Sequence, residues 1–312
     1  MSRREAWLTA MRPQTLPAGA APVLMGIGLA VADGVFAPWP AFAALVGALL
    51  IQIGTNFAND YYDAINGADT ADREGFTRVT AGGLIDPRRV RQAMAGTYAL
   101  ALVVGVSLVY VGGLPIVIVG LSSIISGILY TGGPYPYGYY GLGDLFVFVY
   151  FGLIAVSGTY YVQAIVALDA GPLPLWVPAE TVTASAVLVG IAAGGLATTI
   201  LVVNNIRDRE TDQKTGKQTL AVLVGYRWSR VEYLGLVGAA YAVPVLLWRG
   251  FGYTPAVLLT GISLPLAVRV ARTVCTQTDG EALNPALERT GQLFAMYALL
   301  FTTGLATSGV TL

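Results

Sequence analysis

The chain has 312 residues, with 18 Lys+Arg against 18 Asp+Glu, 55% hydrophobic and 12% charged residues, one cysteine and no histidine. The charged share is about half that of a soluble domain, which excludes an ordinary water-soluble globule, and the net charge of zero gives no reason to expect a nucleic-acid partner. The single Cys275 excludes an internal disulfide or a cysteine metal cluster, and the missing histidines remove His zinc sites, His general bases and Ser-His-Asp triads together.

Apolar stretches long enough to cross a bilayer, on the order of 20 residues, fall near 13–32, 38–58, 92–112, 114–131, 143–167, 184–203, 231–249, 255–272 and 290–308. They predict an all-α polytopic membrane protein of about nine transmembrane helices, forming one domain over 1–312. The third and fourth stretches are the least distinct pair, separated only by Val111-Gly112-Gly113-Leu114-Pro115. The basic N-terminus has no small-residue cleavage site after a short apolar core and reads as a retained first helix. Lys and Arg favour cytoplasmic loops. With the N-terminus inside, the inner side collects Arg3, Arg4 and Arg12, every basic residue of loops 59–91 and 204–230, and Arg269, Arg272 and Arg289, which leaves only Arg249 outside. The C-terminus is then expected outside.

The second stretch runs on into Asn56, Asn59, Asp60 and Asp63, and the sixth into Asn205, Asp208 and Asp212. Offsets of three, four and seven residues stack such side chains on one helical face. Clustered carboxylates at the end of an apolar helix repel one another and lose hydration, so a bare cluster is expensive unless something cationic binds it. Hard oxygen donors suit Mg²⁺, which commonly bridges one or two carboxylates to a substrate phosphate. Asp72, Glu74 and Asp86 read instead as ordinary loop acids. Beside the clusters lie Arg73 and Arg78, then Arg207, Lys214 and Lys217. Carboxylates, metal and Arg/Lys together suit a diphosphate. Arg78 and Lys217 stand out because each sits in a compact Gly/Thr turn whose backbone donors can meet an anion.

Between them, Tyr130-Thr131-Gly132-Gly133-Pro134-Tyr135-Pro136-Tyr137-Gly138-Tyr139-Tyr140-Gly141-Leu142-Gly143-Asp144 forms an inner loop without Lys or Arg. Its aromatics read as an interfacial belt. For Tyr130 the alternative, the wall of a pocket that holds a ring or a carbocation, stands equally open.

Asn59-Asp60-Tyr61-Tyr62-Asp63 with Gly67-Ala68-Asp69, and Asp208-Arg209-Glu210-Thr211-Asp212 with Gly216-Lys217-Gln218-Thr219-Leu220, resemble the two aspartate-rich motifs of the UbiA superfamily of intramembrane prenyltransferases. Arg12-Pro13-Gln14-Thr15-Leu16-Pro17, Thr80-Ala81-Gly82-Gly83-Leu84-Ile85, Tyr130-Thr131-Gly132-Gly133-Pro134 and Asn204-Asn205-Ile206-Arg207-Asp208 extend the likeness over the whole chain, and the wording is most similar to the branch that prenylates 1,4-dihydroxy-2-naphthoate in menaquinone biosynthesis. The resemblance implies nine helices around a central cavity in a prokaryotic plasma membrane, with both motifs capping it on the cytoplasmic side. It implies that Asp60, Asp63, Asp208 and Asp212, helped by Asn56, Asn59 and Asn205, hold Mg²⁺ on the diphosphate of an isoprenyl donor, assisted by Arg78 and Lys217. An aromatic acceptor is then alkylated, with Arg12 as partner for its carboxylate. Many members carry a third aspartate where this chain has Gly67; Asp69 takes that role in the naphthoate branch. Rival acceptors are 4-hydroxybenzoate, homogentisate and an archaeal glyceryl phosphate, and a rival of another class is a carboxylate-coupled cation transporter.

Overall fold

A computed structural model describes residues 2–67 and 79–309. The described chain is helical throughout: α1 (Arg3–Met11), α2 (Leu16–Ala32), α3 (Pro38–Ile65), α4 (Pro87–Leu129), α5 (Gly143–Ala167), α6 (Ala184–Lys214), α7 (Leu220–Gly250), α8 (Pro255–Thr276) and α9 (Gly280–Ser308). Seven helical stretches among the described residues are long and apolar enough to cross a membrane, α1 and α2 together forming the first. The chain is an integral membrane protein.

The nine stretches expected from sequence and these seven differ at two places. Residues 92–112 and nearly all of 114–131 fall within the 43-residue α4, which would run about 65 Å if straight, twice the ~30 Å apolar thickness of a bilayer. It is not straight. Gly113 sits at φ 59, ψ −148, a conformation open to glycine, and a Cβ there would lie 1.9 Å from the Pro174 carbonyl oxygen. The two halves fold back on each other: a Cβ at Gly127 would lie 2.8 Å from the Tyr98 hydroxyl. The loop after α5 closes this corner, Leu114 N donating to Pro174 O and Leu173 N to Tyr110 O. The second place is α9, which has the length but carries Gln292, Thr302, Thr303 and Thr307 within its apolar part.

The core is built around α6, whose small residues Gly190, Ala193, Gly194 and Ala197 let neighbours approach closely. A π-helical stretch, Phe148–Ile154, brings α5 against it, and a Cβ on Gly152 would lie 2.5 Å from the Gly190 carbonyl oxygen. Met25, Leu29, Val189, Leu196, Phe294, Tyr297 and Phe301 fill the space between α2, α6 and α9. At the end of the bundle remote from the acid-bearing helix ends, the hydroxyls of Tyr160 and Tyr253 both donate to Asp33. At the opposite end Trp7 of α1 packs edge-on against Phe57 of α3 at 6.0 Å, with Ala6, Ala10 and Ala58 beside them.

Helices α3 and α6 are longer than an apolar slab requires, at about 42 Å and 46 Å for 28 and 31 residues. Their last turns project from one face of the bundle, and those turns carry the acids.

Candidate functional site

The two acid-bearing helix ends stand on the same side of the bundle, joined by the tyrosine-rich loop after α4. The Tyr139 hydroxyl donates to Asp63 on α3, and the Tyr139 carbonyl accepts from Gln218 N, beyond α6, at 2.8 Å. The Lys217 ammonium lies 4.6 Å above the Tyr139 ring. Thr131 binds the first motif twice, its hydroxyl donating to Asn59 and its carbonyl accepting from Asn66, each at 3.0 Å. The aromatics of this loop read from sequence as an interfacial belt, with Tyr130 open to a pocket role; in the structure Tyr139 and Thr131 also bridge the motifs, while Tyr135 and Tyr140 are exposed. Its contacts span 65 or more residues of sequence, so no local pattern could announce them.

The predicted side chains among the described residues can each be placed. Asp60 and Asp63 are buried. The Asp60 carboxylate accepts from Val79 N at 3.2 Å, Thr80 N at 3.1 Å and Thr80 Oγ1 at 2.5 Å, so backbone donors compensate its charge and fix the return of the first loop. Asn56 is turned toward α1, donating to Met11 O and Thr15 Oγ1 at 2.9 Å, while Asn59 lines the cavity described below. Arg12 is the left-handed residue, φ 51, that ends α1 just beside Asn56's partners. Asp69 and Arg78 lie outside the described residues.

On α6, Asp208 is held by its neighbour Arg207 through two hydrogen bonds, Nε at 2.7 Å and Nη2 at 2.8 Å, and Arg207 also donates to Asn204 and to Asn284 of α9 at 2.9 Å. Arg207, expected to face a diphosphate, therefore clamps the second motif. Asp212 is half-buried and accepts from Thr219 at 3.4 Å, while Lys214 is exposed at the end of the helix. Asn205 is buried and donates to Asp144 at 3.5 Å. Asp144, which sequence reading did not single out, is buried on the first turn of α5. The available signal was an acid at the very start of an apolar stretch.

A cavity of about 580 Å³ runs beside these groups. Along α3 its lining extends from Ala44 to Asn59, roughly 22 Å of helix. Gln52, Asn56, Asn59, Tyr130 and Tyr137 lie at its inner end, whereas Val106, Ile116, Leu121, Phe151 and Val162 wall the rest. Val106 and Leu121 in this lining are themselves well exposed. Tyr130 thus does wall a pocket. Its phenol is pushed far up by burial first, then by the carboxylates of Asp144, Asp63 and Asp212, so it stays protonated.

The donor chemistry fits Mg²⁺: every acid and amide here offers hard oxygen, with no nitrogen or sulfur ligand. Among the described residues no three carboxylates converge on one point. That suits an ion which prefers one or two carboxylates and completes its shell with water and substrate phosphate, and it leaves the two motifs to be joined by the ligand.

A model of the UbiA prenyltransferase family matches residues 20–305. The chain is 37% identical to the 1,4-dihydroxy-2-naphthoate octaprenyltransferase of Mycobacterium tuberculosis, covering 96% of each chain, and 37% identical to that of Escherichia coli, covering 98% of this chain and 96% of the relative. Among solved structures, an apo UbiA homolog from Aeropyrum pernix K1 superposes with a TM-score of 0.69 at 14% identity, over 93% of this chain and 97% of that one. A UbiA homolog from Archaeoglobus fulgidus bound to GPP and Mg²⁺ gives 0.59 at 15%, over 95% and 99%.

Proposed function

The chain belongs to the UbiA prenyltransferase family, and from that premise we propose that it transfers a polyprenyl group from an isoprenyl diphosphate to 1,4-dihydroxy-2-naphthoate, releasing the ring carboxylate as CO₂, in menaquinone biosynthesis. The observation that carries this reading is the union of two acidic helix ends at the polar end of one long apolar cavity. An isoprenyl diphosphate has the same division, an oily tail and a dense anionic head. The acceptor is assigned from the naphthoate-prenylating relatives.

Asp60, Asp63, Asp208 and Asp212, with Asn56, Asn59 and Asn205, would hold Mg²⁺, as is supported by the homolog bound to GPP and Mg²⁺. When bound, the cation supplies Lewis-acid stabilisation of charge on the departing diphosphate. The chain's own part is mainly positional. Lys217, held over Tyr139, brings positive charge to the diphosphate from the second motif, and Arg78 does so from the first. Tyr130 and Tyr137, 5.5 Å apart and edge to face, present aromatic surface where an allylic cation would form, and π faces attract cations. The apolar wall keeps water from that cation, so the ring is its available nucleophile. Arg12, at the inner end near Asn56, would take the acceptor's carboxylate before it leaves.

The positive-inside pattern supports placing the N-terminus and both motifs on the cytoplasmic side and the C-terminus outside, with 1–312 acting as one domain. A cation carrier would need its acids near the midplane, whereas these gather at the ends of α3 and α6. The test is turnover of purified protein with an isoprenyl diphosphate and either 1,4-dihydroxy-2-naphthoate or 4-hydroxybenzoate. The expected result is prenylated naphthoate with one CO₂ per product and little reaction of the benzoate. Product without CO₂, or a preference for 4-hydroxybenzoate, overturns the acceptor assignment.

A further inference from the structure

Asp144 belongs to neither acidic motif, yet it is 4% exposed and sits between them. Its surroundings differ from those of the other buried acids. Asp60 accepts from three donors, Asp63 from Tyr139, and Asp208 from both Arg207 and Asn204. Asp144 Oδ2 has a hydrogen bond at 3.5 Å, from Asn205 Nδ2, and Oδ1 has no hydrogen-bond partner. Buried polar atoms in native proteins are nearly all paired, so an orphaned carboxylate oxygen calls for an explanation other than packing.

The chemistry of the contact supplies one. An ionised carboxylate only accepts hydrogen bonds, so an asparagine beside it must turn its NH₂ toward it. The Asn205 carbonyl oxygen is thereby directed away from Asp144. Asn205 lies three residues before Asp208 and seven before Asp212, and these offsets share one face of α6. We propose that Asp144 is a positioning residue for the second motif: it fixes the Asn205 amide so that the oxygen, and not the NH₂, is offered to the cation at Asp208 and Asp212. The inference rests on the reading of this motif as a Mg²⁺ site. A carboxylate behind a metal ligand plays the same part elsewhere, setting which atom the ligand presents. Asp144 is suited to it because its backbone is held where the tyrosine-rich loop enters α5, and a Cβ on the preceding Gly143 would stand 3.5 Å from the Tyr130 hydroxyl.

The measurement is Mg²⁺ binding by titration calorimetry to the purified full-length protein in the presence of inorganic pyrophosphate, which needs no turnover. Asp144→Ala and Asn205→Ala should each weaken Mg²⁺ binding by roughly 10- to 100-fold, and the double variant should bind no more weakly than Asn205→Ala alone, because Asp144 acts through Asn205. Asp144→Asn, which keeps a carbonyl acceptor, should recover most of the affinity. Should Asp144→Ala fail to fold, Asp144→Leu has comparable volume and no acceptor. If Asn205→Ala weakens binding while Asp144→Ala or Asp144→Leu stays within twofold of the parent, the positioning role is refuted and the metal site stands. If the two effects add in the double variant, Asp144 acts independently of Asn205 and the proposal is equally wrong. Loss of effect in both Asn205→Ala and Asp208→Ala would remove the metal site itself and the inference with it.

Discussion

Replacing Arg207 with glutamine decides whether this guanidinium holds Asp208 or waits for the substrate. The two side chains are 3% and 7% exposed, and both Asp208 oxygens are engaged, at 2.7 and 2.8 Å. Removing one partner of a buried pair costs ~3–5 kcal/mol, because the remaining charge stays buried without compensation. Asn204 still donates to Asp208 at 3.3 Å, which places the expected loss toward the lower end, about 3 kcal/mol. The uncompensated Asp208 then has more to gain from a cation. Denaturant-induced unfolding of the purified protein in mixed micelles, with and without Mg²⁺ and inorganic pyrophosphate, should show the variant weaker by about 3 kcal/mol in chelator and most of that gap closed by the ligands. An unchanged stability in chelator, together with a donor KM raised tenfold or more, would show that Arg207 contacts the diphosphate and would refute the clamp.

Asp60→Asn should lower turnover by roughly 100-fold or more while the protein stays folded, since it removes charge at the site; near-normal rates, or full activity in excess chelator, would contradict the two-motif site. In a Cys275→Ser background, a cysteine at Gln213 should react with a membrane-impermeant thiol reagent only from the cytoplasmic side, and one at Ala170 only from outside; the reverse pattern would invert the assigned orientation. Gly113→Ala should destabilise the protein by about 3 kcal/mol or more, combining backbone strain with overlap on Pro174, and a melting temperature equal to the parent's would argue against the hairpin at that residue.

The acids of both motifs were legible because their spacing on a helix and their setting in apolar sequence leave few other uses for them. Arg207's hold on Asp208 was not legible, for a geometric reason. Adjacent residues on a helix do not face each other as i and i+4 do, so its capture of Asp208 depends on a long side chain curling back, with Asn284 of a distant helix anchoring the far side. Tyr139 and Thr131 were hidden in a run of tyrosines and glycines whose composition equally describes a membrane interface. The turn inside α4 was half visible: Gly112-Gly113-Leu114-Pro115 marked a break, but the antiparallel return is set by Tyr98 lying against Gly127 and by the loop from α5. The cavity's polar end could be anticipated only in part, since Gln52 and Thr55 look like unremarkable polar residues within an apolar stretch until Asn56 and Asn59 are seen on the same wall.

The shape of that cavity has a consequence for how tail length is handled. On the proposed reading head and tail are separated along one axis, with the fixed polar groups at one end and an apolar passage lined by residues such as Val106 and Leu121 beyond them. Lengthening the donor adds contacts far from the reacting carbon and leaves the distance from that carbon to the acids untouched. Affinity can therefore climb with each added isoprene unit while the chemical step keeps its pace. On the proposed reading, such a protein measures its donor from the head.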